Sequence, residues 1–379
     1  MIDKMNFKDT QLSRLGLGTM RLPVKTSVKR ESNPLIDYEE GQKLVDYAIS
    51  HGVNYFDTAY MYHVGKSEEF IGKALSKYPR ESYYLVDKLP IWLCDTPSDM
   101  ERVFNEQLER TGAEYFDNYL LHSLDAENFE KCERFGAYDF VLKKQKEGKI
   151  KNIGFSFHGT IEDLKTIVAS HKWDFAQIQL NYLDWINQNA KEQYNILTNS
   201  CIPIIVMEPV RGGKLADVSN EVNDLFKNTN KNKSVASWAI GFVASLPNVV
   251  TILSGMNSIE QLDDNINTLT DFKPFNDDEL NICFNAASLI NKNEVIPCTG
   301  CDYCSDCPKD IKISTIFSIY NDYKTGNIDA KKANELYSKI PNENNANSCI
   351  GCELCKKHCP QGINITGWMQ DGIPKFFSN

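Results

Sequence analysis

Short apolar runs alternate with amphipathic segments through residues 15–270. Eight of these runs have the length and the β-branched or aromatic content of buried strands. Between them, apolar residues recur at three- and four-residue spacing, which predicts helices. The candidate strands are 15–20, 54–59, 83–88, 115–122, 152–157, 174–181, 203–210 and 249–255. Eight strand–helix units predict an α/β fold, and specifically a (β/α)8 TIM barrel.

A doubly wound open sheet is the alternative architecture. It would be expected to carry a glycine-rich phosphate turn after an early strand, and the sequence contains no G-x-G-x-x-G or Walker motif. The pattern changes after Phe272, so we assign the barrel to residues 1–275 and a helical extension with a small cysteine-rich domain to residues 276–379. The polar segment 217–234 is predicted to be a loop over the barrel mouth, or else a solvated surface segment.

Composition argues against several classes of protein. Apolar residues make up 42% and charged residues 24%, as in soluble globular chains, and a net charge of −10 disfavours binding to nucleic acid. The uncharged stretch 234–259 is long enough to span a bilayer, but Pro247 and its neighbouring asparagine favour a buried helix followed by a buried strand. The N-terminus is polar and clustered free cysteines need a reducing compartment, so we expect a cytoplasmic protein without membrane partners.

Polar side chains occur where three neighbouring candidate strands end. Asp57 ends the second strand, Tyr62 follows in the next loop, Lys88 ends the third strand and His122 ends the fourth. In a TIM barrel these ends share one rim, where the chemistry takes place. A lysine ammonium lowers the pKa of a nearby phenol, a carboxylate holds the lysine, and a histidine can orient a carbonyl oxygen. This combination suits protonation of a carbonyl as hydride arrives.

Eight sequence blocks resemble the aldo/keto reductase superfamily over roughly residues 10–272. They are LGLGTMRLP (15–23), FDTAYMYHVGKSEEFIGKAL (56–75), LVDKLP (85–90), YLLHSLD (119–125), IGFSFHG (153–159), FAQIQLNYLD (175–184), MEPVRGGKL (207–215) and LSGMNSIEQLDDNI (253–266). The resemblance implies a barrel that binds a nicotinamide cofactor, NAD(P)H, without a Rossmann fold. It also implies a catalytic tetrad of Asp57, Tyr62, Lys88 and His122, with Tyr62 as the general acid.

The same resemblance implies a set of cofactor-binding residues. Ser156 and Gln177 match positions that hold the nicotinamide carboxamide, Asn265 matches an adenine contact, and Arg211 is a candidate phosphate contact. The full set is Gly18, Thr19, Ser156, Gln177, Arg211 and Asn265. Three positions depart from the family pattern. Phe157 replaces the usual asparagine beside the serine, with His158 as a substitute polar contact, and Gly255 and Gln261 replace the basic residues that often bind the 2′-phosphate of NADP. A strong NADPH preference is therefore not supported.

Two cysteine runs mark the C-terminal region. The first reads C-x2-C-x2-C-x2-C-P and the second reads C-x2-C-x2-C-x3-C-P, which is the bacterial 4Fe–4S ferredoxin run. Three thiolates spaced by two residues can wrap one cuboidal cluster while the fourth reaches the neighbouring cluster. We therefore predict two clusters. One would use Cys298, Cys301, Cys304 and Cys359, and the other Cys349, Cys352, Cys355 and Cys307.

Two alternatives remain for these cysteines. The irregular first run leaves room for a single cluster in the second run, and structural zinc is less favoured because zinc sites usually separate two C-x2-C pairs more widely. The remaining cysteines are scattered and are assigned to ordinary core or surface positions. The barrel together with this tail resembles the subgroup of aldo/keto reductases that carry a C-terminal 4Fe–4S ferredoxin-type domain.

We thus expect an NAD(P)H-linked oxidoreductase that acts on a small carbonyl or alcohol. Nicotinamides carry two electrons and clusters pass one, and the chain shows no flavin signature. The clusters could be structural, could serve a redox partner protein that holds a flavin, or could work with an unrecognised converter in the barrel. The rival interpretation is an electron-transfer or redox-sensing iron–sulfur protein whose barrel binds a partner or cofactor without carbonyl reduction. The intact tetrad favours the enzyme.

Overall fold

The computed structural model describes residues 1–25, 35–292 and 295–377 of the chain. Its backbone contacts divide it into two units. The first unit comprises Met1–Val210 and Ala236–Leu280, and the second comprises Arg211–Val235 and Asn281–Asn379. The segment Arg211–Val235 lies in the middle of the barrel sequence but is grouped with the C-terminal cysteines.

The first unit is built on a closed barrel of eight parallel strands, which confirms the predicted fold class. A short antiparallel hairpin precedes the barrel. In chain order the strands are β1 (Lys4–Phe7) and β2 (Thr10–Ser13) in the hairpin, then β3 (Leu15–Gly18), β4 (Tyr55–Asp57), β5 (Tyr84–Leu89), β6 (Phe116–Leu124), β7 (Ile150–Phe157), β8 (Phe175–Gln179), β9 (Ile204–Met207) and β10 (Val249–Ser254). Neighbouring barrel strands follow chain order, and β10 pairs with β3 to close the barrel.

Helices follow the strands around the barrel and then continue into the second unit. In chain order they are α1 (Tyr38–Ser50), α2 (Lys66–Leu75), α3 (Pro97–Thr111), α4 (Ala126–Phe135), α5 (Ala137–Lys146), α6 (Ile161–Ser170), α7 (Asp184–Asn187), α8 (Ala190–Asn199), α9 (Asn220–Thr229), α10 (Val235–Ala244), α11 (Ile259–Thr268), α12 (Asp277–Asn291), α13 (Ile313–Lys324), α14 (Ala330–Ser338), α15 (Leu354–Lys357), α16 (Ile365–Gly367) and α17 (Ile373–Phe377).

The hairpin covers the N-terminal end of the barrel. Phe7 and Leu12 are buried in one apolar cluster with Tyr55 and Phe175 at the starts of β4 and β8. The rings of Phe7 and Phe175 meet edge to face, 6.0 Å between centroids. This end of the barrel is therefore filled with apolar side chains, and the polar strand ends lie at the opposite, C-terminal mouth.

Helices α2 and α3 approach each other closely. A Cβ atom at Gly72 of α2 would overlap the backbone of Thr111 in α3, so only glycine fits at this position. Helix α3 begins with Pro97 at its first turn and a capping box in which Thr96 and Asp99 bond to each other's backbone. These local signals fix the start of α3, which carries Glu106, Gln107 and Arg110, discussed below.

Two predictions on the late barrel segments have different outcomes. The uncharged stretch forms α10 followed by β10, as expected, and within the described ranges no helix is long and apolar enough to cross a membrane. The predicted loop 217–234 instead contains α9. Val222 and Phe226 lie one helical turn apart and are both buried, so this polar-looking segment has enough apolar surface to pack as a helix.

The second unit has a core of its own. Ile316, Phe317 and Tyr320 of α13 are buried with Met369 and Ile373 near the C-terminus. Cysteines of both runs pack against the same core. Apolar side chains therefore border the cysteines on one side, while most of these cysteines stay partly exposed.

Candidate functional site

A buried ion pair joins the ends of β4 and β5. The Lys88 ammonium donates to Asp57 Oδ1 at 2.7 Å and to the Thr58 carbonyl oxygen at 2.7 Å. The two charged side chains are only 1% and 4% exposed. Burial raises the pKa of Asp57, and the neighbouring ammonium opposes that shift. The hydrogen bonds hold a charge pair that would be costly to bury singly, and they fix the ammonium at the barrel mouth.

Tyr62 lies beside this ion pair, in the turn that follows β4. The centre of its half-buried ring is 5.1 Å from Lys88 Nζ. The turn is backbone-strained, since His63 and Val64 have φ angles of 50° and 55° in the left-handed region, which a β-branched residue rarely adopts. Strain of this kind persists where the surroundings enforce it and is common at functional sites. The turn thus places a phenol next to a fixed positive charge.

His122 of β6 completes the group. Its ring centre is 6.5 Å from that of Tyr62, in an edge-to-face arrangement, and the residue is 3% exposed. Burial lowers the pKa of His122 well below its ordinary value, and the charge of Lys88 and the nearby His158 lower it further. The imidazole is therefore neutral near neutral pH. Its Nδ1 atom has no hydrogen-bond partner among the residues described. The structure thus brings all four predicted tetrad side chains together.

Gln177 and Ser156 lie on neighbouring strands at the same mouth. They are paired across β7 and β8 and are 2% and 1% exposed. Ser156 Oγ accepts a hydrogen bond from the backbone nitrogen of Ser123 at 2.7 Å. Gln177 Nε2 contacts the sulfur of Met207 at 3.6 Å, while Gln177 Oε1 is buried without a donor in the described part of the chain. An orphaned amide oxygen at this place fits the amino group of a carboxamide.

The other predicted cofactor residues are more dispersed. Gly18 ends β3, and Thr19 follows it with its hydroxyl donating to the Asp57 carbonyl oxygen at 2.9 Å. Asn265 of α11 is buried and donates to Ser254 Oγ at the end of β10, at 3.1 Å. Arg211 is buried in a short turn that belongs to the second unit. The first three positions therefore lie at C-terminal strand ends or on the helix that follows β10.

The departures from the family pattern have visible local roles. Phe157 is buried at 1% exposure at the end of β7. His158 follows it, and burial lowers its pKa to about 4. Gln261 turns its amide back to accept from the backbone nitrogen of Asn257 at 3.0 Å, which completes the start of α11. None of these side chains carries a positive charge near neutral pH.

Two features of the mouth were not predicted from the sequence. The Trp92 ring lies 4.9 Å from the His122 ring, between centroids, and forms a wall of the site. A tryptophan in the loop directly after the Lys88 strand was the available signal. Arg21 pairs with Glu208 at 3.4 Å between the ends of β3 and β9. Opposite charges separated by 187 positions gave no local signal for this contact.

The cysteine runs form two groups within the second unit. Cys298, Cys301, Cys304 and Cys359 line one pocket of about 320 Å³, which includes its opening to solvent, and apolar residues such as Phe317 form its wall. Burial raises the pKa of Cys298 and that of Cys304, and the neighbouring Cys359 contributes to both shifts. The fourth cysteine of the second run thus lies with the first three cysteines of the first run.

The remaining cysteines show the reciprocal arrangement. Burial raises the pKa of Cys355, and Cys307, Cys349 and Cys352 add to the shift. All of these thiols are free of disulfides. No three His, Cys, Asp or Glu side chains in the described ranges are grouped closely enough to hold a single metal ion. Four neighbouring thiols are the donor set that an iron–sulfur cluster takes up, with loss of the thiol protons on binding.

The closed parallel barrel with polar side chains at its mouth places the protein among the TIM-barrel proteins, and comparison with known proteins makes the assignment specific. The model of the aldo/keto reductase family matches residues 14–287, and the model of the 4Fe-4S dicluster domain matches residues 297–364. The chain belongs to the aldo/keto reductase family and carries a 4Fe–4S dicluster domain at its C-terminal end. Both parts of the resemblance seen in the sequence are thereby confirmed.

Curated relatives span most of the chain at low identity. The probable aldo-keto reductase 1 of Glycine max is 25% identical over 352 residues, which cover 82% of this chain and 97% of the relative. The versiconal hemiacetal acetate reductase of Aspergillus parasiticus is 27% identical over 230 residues, which cover 53% of this chain and 66% of that protein. These relatives support an oxidoreductase.

Solved structures share the fold. An aldo-keto reductase from Bacillus halodurans, in its holo form, superposes with a TM-score of 0.60 at 20% identity and covers 76% of this chain and 96% of its own. The glycerol dehydrogenase of Gluconobacter oxydans has a TM-score of 0.60 at 18% identity, with 78% and 98% coverage. At this identity the likeness concerns the barrel architecture.

Proposed function

We propose that this chain is an NAD(P)H-linked reductase of small carbonyl compounds in which Tyr62 is the general acid. The observation that carries the proposal is the buried ion pair of Lys88 and Asp57 beside the Tyr62 ring. A phenol is a poor acid at neutral pH, and an adjacent fixed ammonium stabilises the phenolate that forms when the proton leaves. A phenol next to a fixed ammonium suits a general acid, because the phenol must lose its proton and regain it in each catalytic cycle.

The protein side of the reaction follows from these positions. The substrate carbonyl oxygen accepts hydrogen bonds from the Tyr62 hydroxyl and from one ring nitrogen of His122. As the oxygen becomes an alkoxide it takes the phenolic proton, and the Lys88 ammonium offsets the charge left on Tyr62. Because its pKa is depressed, His122 stays neutral and donates a hydrogen bond without competing as an acid. The Trp92 ring limits the substrate to what fits beside His122.

The cofactor would lie across the strand ends that carry the remaining polar residues. Gln177 Oε1 and the Ser156 hydroxyl would hold the carboxamide, and Asn265 the adenine. Gly18 and Thr19 leave room for the cofactor beside β3. When bound, the nicotinamide supplies the hydride that reduces the carbonyl carbon. The orphaned oxygen of Gln177 supports this placement, because buried acceptors are normally hydrogen-bonded and a bound carboxamide would supply the donor that the protein does not.

We further propose that the dicluster domain holds two [4Fe–4S] clusters with exchanged fourth ligands. Cys359 would join Cys298, Cys301 and Cys304, and Cys307 would join the group of Cys355. The mutual influence of these thiols and the apolar pocket around the first group support the arrangement. Thiolates are the usual ligands of such clusters, and apolar walls restrict water.

The function is tested on anaerobically purified, cluster-loaded protein. Oxidation of NADH or NADPH is followed with a panel of small aldehydes, in wild type and in Tyr62→Phe. We expect the substitution to lower kcat by about 10²–10⁴-fold, since it removes the transferable proton but keeps the ring. Tyr84→Phe, at the other end of β5, is the matched control and should retain activity. Equal turnover in wild type and Tyr62→Phe would remove the mechanism.

A further inference from the structure

Two buried carboxyl groups lie behind Lys88, on the outer face of β5. Asp87 precedes Lys88 in the strand, and because successive side chains alternate, it points away from the barrel interior toward α2 and α3. Glu68 of α2 reaches the same place. Both residues are fully buried, at 0% exposure. Neither was singled out by the sequence patterns, and the hydrogen bonds of their carboxyl groups go to backbone and to α3 rather than to the tetrad side chains.

Most of the polar atoms around this pair are accounted for. Asp87 Oδ1 accepts from the backbone nitrogen of Lys88 and from Gln107 Nε2, each at 2.8 Å. Gln107 Nε2 also donates to the Lys88 carbonyl oxygen at 2.9 Å. Glu68 Oε2 accepts from Arg110 at 2.8 Å. Asp87 thereby holds the backbone nitrogen of Lys88. Gln107, which also binds Asp87, holds the backbone oxygen of Lys88.

Two atoms are left over. Asp87 Oδ2 and Glu68 Oε1 are buried and receive no donor from any described residue. The two carboxyl groups are close enough for each to affect the pKa of the other. Ionised carboxylates have only acceptor oxygens, so a hydrogen bond between two of them requires a proton on one. Each of the two buried carboxyl groups has one unpartnered oxygen, and a single bound proton between Asp87 and Glu68 would satisfy both oxygens.

The surroundings decide which residue carries the proton. Burial raises the pKa of both groups. Arg110 opposes the shift at Glu68, whereas the negative charge of Glu68 raises the pKa of Asp87 further, well above its ordinary value. The other groups that face the pair are Lys88 on β5, Tyr119 on β6, which donates to Gln107 Oε1 at 2.6 Å, and Tyr60 and Glu106 around Arg110. Lys88, Arg110 and the hydrogen bonds from the Lys88 backbone nitrogen and Gln107 favour ionisation, but burial outweighs them, and the pKa of each carboxyl group is raised. Each of the two cations already has a carboxylate partner.

We propose that Asp87 remains an un-ionised carboxylic acid that donates its proton to Glu68, and that this shared proton clamps the peptide of residue 88 so that the Lys88 ammonium faces Tyr62. Asp87 and Glu68 are then positioning residues for the proposed reaction. The inference rests on the proposed function for its role in turnover. The protonation state itself is independent of that function.

The protonation state of Asp87 also affects the electrostatic field at the barrel mouth. Lys88 is paired with Asp57, and Arg110 is paired with Glu68. An ionised Asp87 would add a third carboxylate with no cation of its own, directly behind Lys88. Its field would offset part of the ammonium charge that acts on Tyr62. Keeping Asp87 protonated therefore leaves the positive field directed into the mouth.

Infrared spectroscopy of the full, cluster-loaded chain tests the protonation state. Carbon-13 labelling of aspartate shifts the carbonyl stretch of an un-ionised aspartic acid away from that of glutamic acid. We expect wild type near neutral pH to show this acid band and Asp87→Asn to lose it. The matched control is Asp117→Asn, because Asp117 is equally buried but pairs with Arg80 at 2.7 Å and Lys151 at 2.9 Å. The control should keep the acid band, and a wild type without the band overturns the proposal.

Kinetics test the positioning role. Asparagine keeps the shape of Asp87 and its donor toward Glu68, so Asp87→Asn should keep kcat within about twofold, whereas Asp87→Ala should lose on the order of 10²-fold as Lys88 shifts. If Asp87→Asn loses as much kcat as Asp87→Ala, the positioning role is wrong. If the acid band is present and Tyr62→Phe is fully active, the shared proton stands and the proposed function fails. The two hypotheses are thus separated.

Discussion

The Nζ atom of Lys88 lies 5.1 Å from the centre of the Tyr62 ring. One buried cation therefore connects a carboxylate on β4 with a phenol in the following turn. Two roles of Lys88 can be separated by substitution, since its charge both neutralises Asp57 and acts on Tyr62. In one role the lysine stabilises the fold, and in the other it supports turnover.

Lys88→Met should impair both stability and activity. Without the ammonium, Asp57 is left as a buried carboxylate without its partner, which costs about 3–5 kcal/mol of unfolding free energy. Loss of the charge beside Tyr62 should lower kcat by about 10²–10³-fold. The double variant Lys88→Met/Asp57→Asn removes both charges, so thermal stability should largely return while kcat stays low. Recovery of kcat in the double variant would contradict the role of the ammonium.

Acid should destabilise the barrel through its mouth histidines. The pKa of His158 is lowered by burial to about 4, and that of His122 lies well below its ordinary value. In the unfolded chain both histidines titrate near 6.5. Between about pH 4 and pH 6.5 the unfolded state therefore binds more protons than the folded state. The free energy of unfolding falls as pH drops through this range. The midpoint of thermal unfolding, followed by circular dichroism over this range, should decline less steeply in His158→Asn than in wild type. A His51→Asn control, at the residue that follows α1, should follow wild type.

Gly72→Ala should destabilise the chain although alanine is the better helix former. In an open helix the change gains about 0.5–1 kcal/mol. At this position the new methyl group would overlap the Thr111 backbone and separate α2 from α3. We expect a lower unfolding temperature, measured by calorimetry on the holoprotein, and a weaker acid band from Asp87 if the separation reaches Glu68. Ser76→Ala, at the exposed end of α2, is the control. A Gly72→Ala protein as stable as wild type would show that the helices have room to adjust.

Iron analysis of paired cysteine variants should reveal the exchanged ligands. Wild type prepared without oxygen should contain about eight irons and eight sulfides per chain. Cys304→Ser and Cys359→Ser should each leave about four irons, and the double variant should lose no more, because both residues serve one cluster. Cys355→Ser/Cys359→Ser should lose both clusters, although those two residues are neighbours in sequence. Cys283→Ser, outside both groups, should keep the full content. A loss of both clusters in Cys304→Ser/Cys359→Ser would contradict the exchange.

Local patterns in the sequence were sufficient for the barrel strands. Each is a short, mostly buried run followed by a helix, and every candidate strand from 15–20 to 249–255 overlaps a strand of the barrel, with ends that differ by up to two residues at β5, β6 and β7. The hairpin β1–β2 was missed because its strands are four residues long and largely polar. Helix α9 was missed because its two buried residues, Val222 and Phe226, are surrounded by asparagine and lysine.

At the site, local patterns were sufficient to nominate the residues but not to assign their protonation states. Residue type and strand position were enough to nominate Asp57, Tyr62, Lys88 and His122, because parallel strands in a closed barrel bring their ends to one rim. Protonation depends on burial and on neighbours that are distant in sequence. Asp87 and Glu68 look like ordinary charges until α2 and α3 enclose them, and the neutrality of His122 likewise comes from its burial. Which groups carry charge was therefore set by packing, since desolvation acts only once the chain has closed around a side chain.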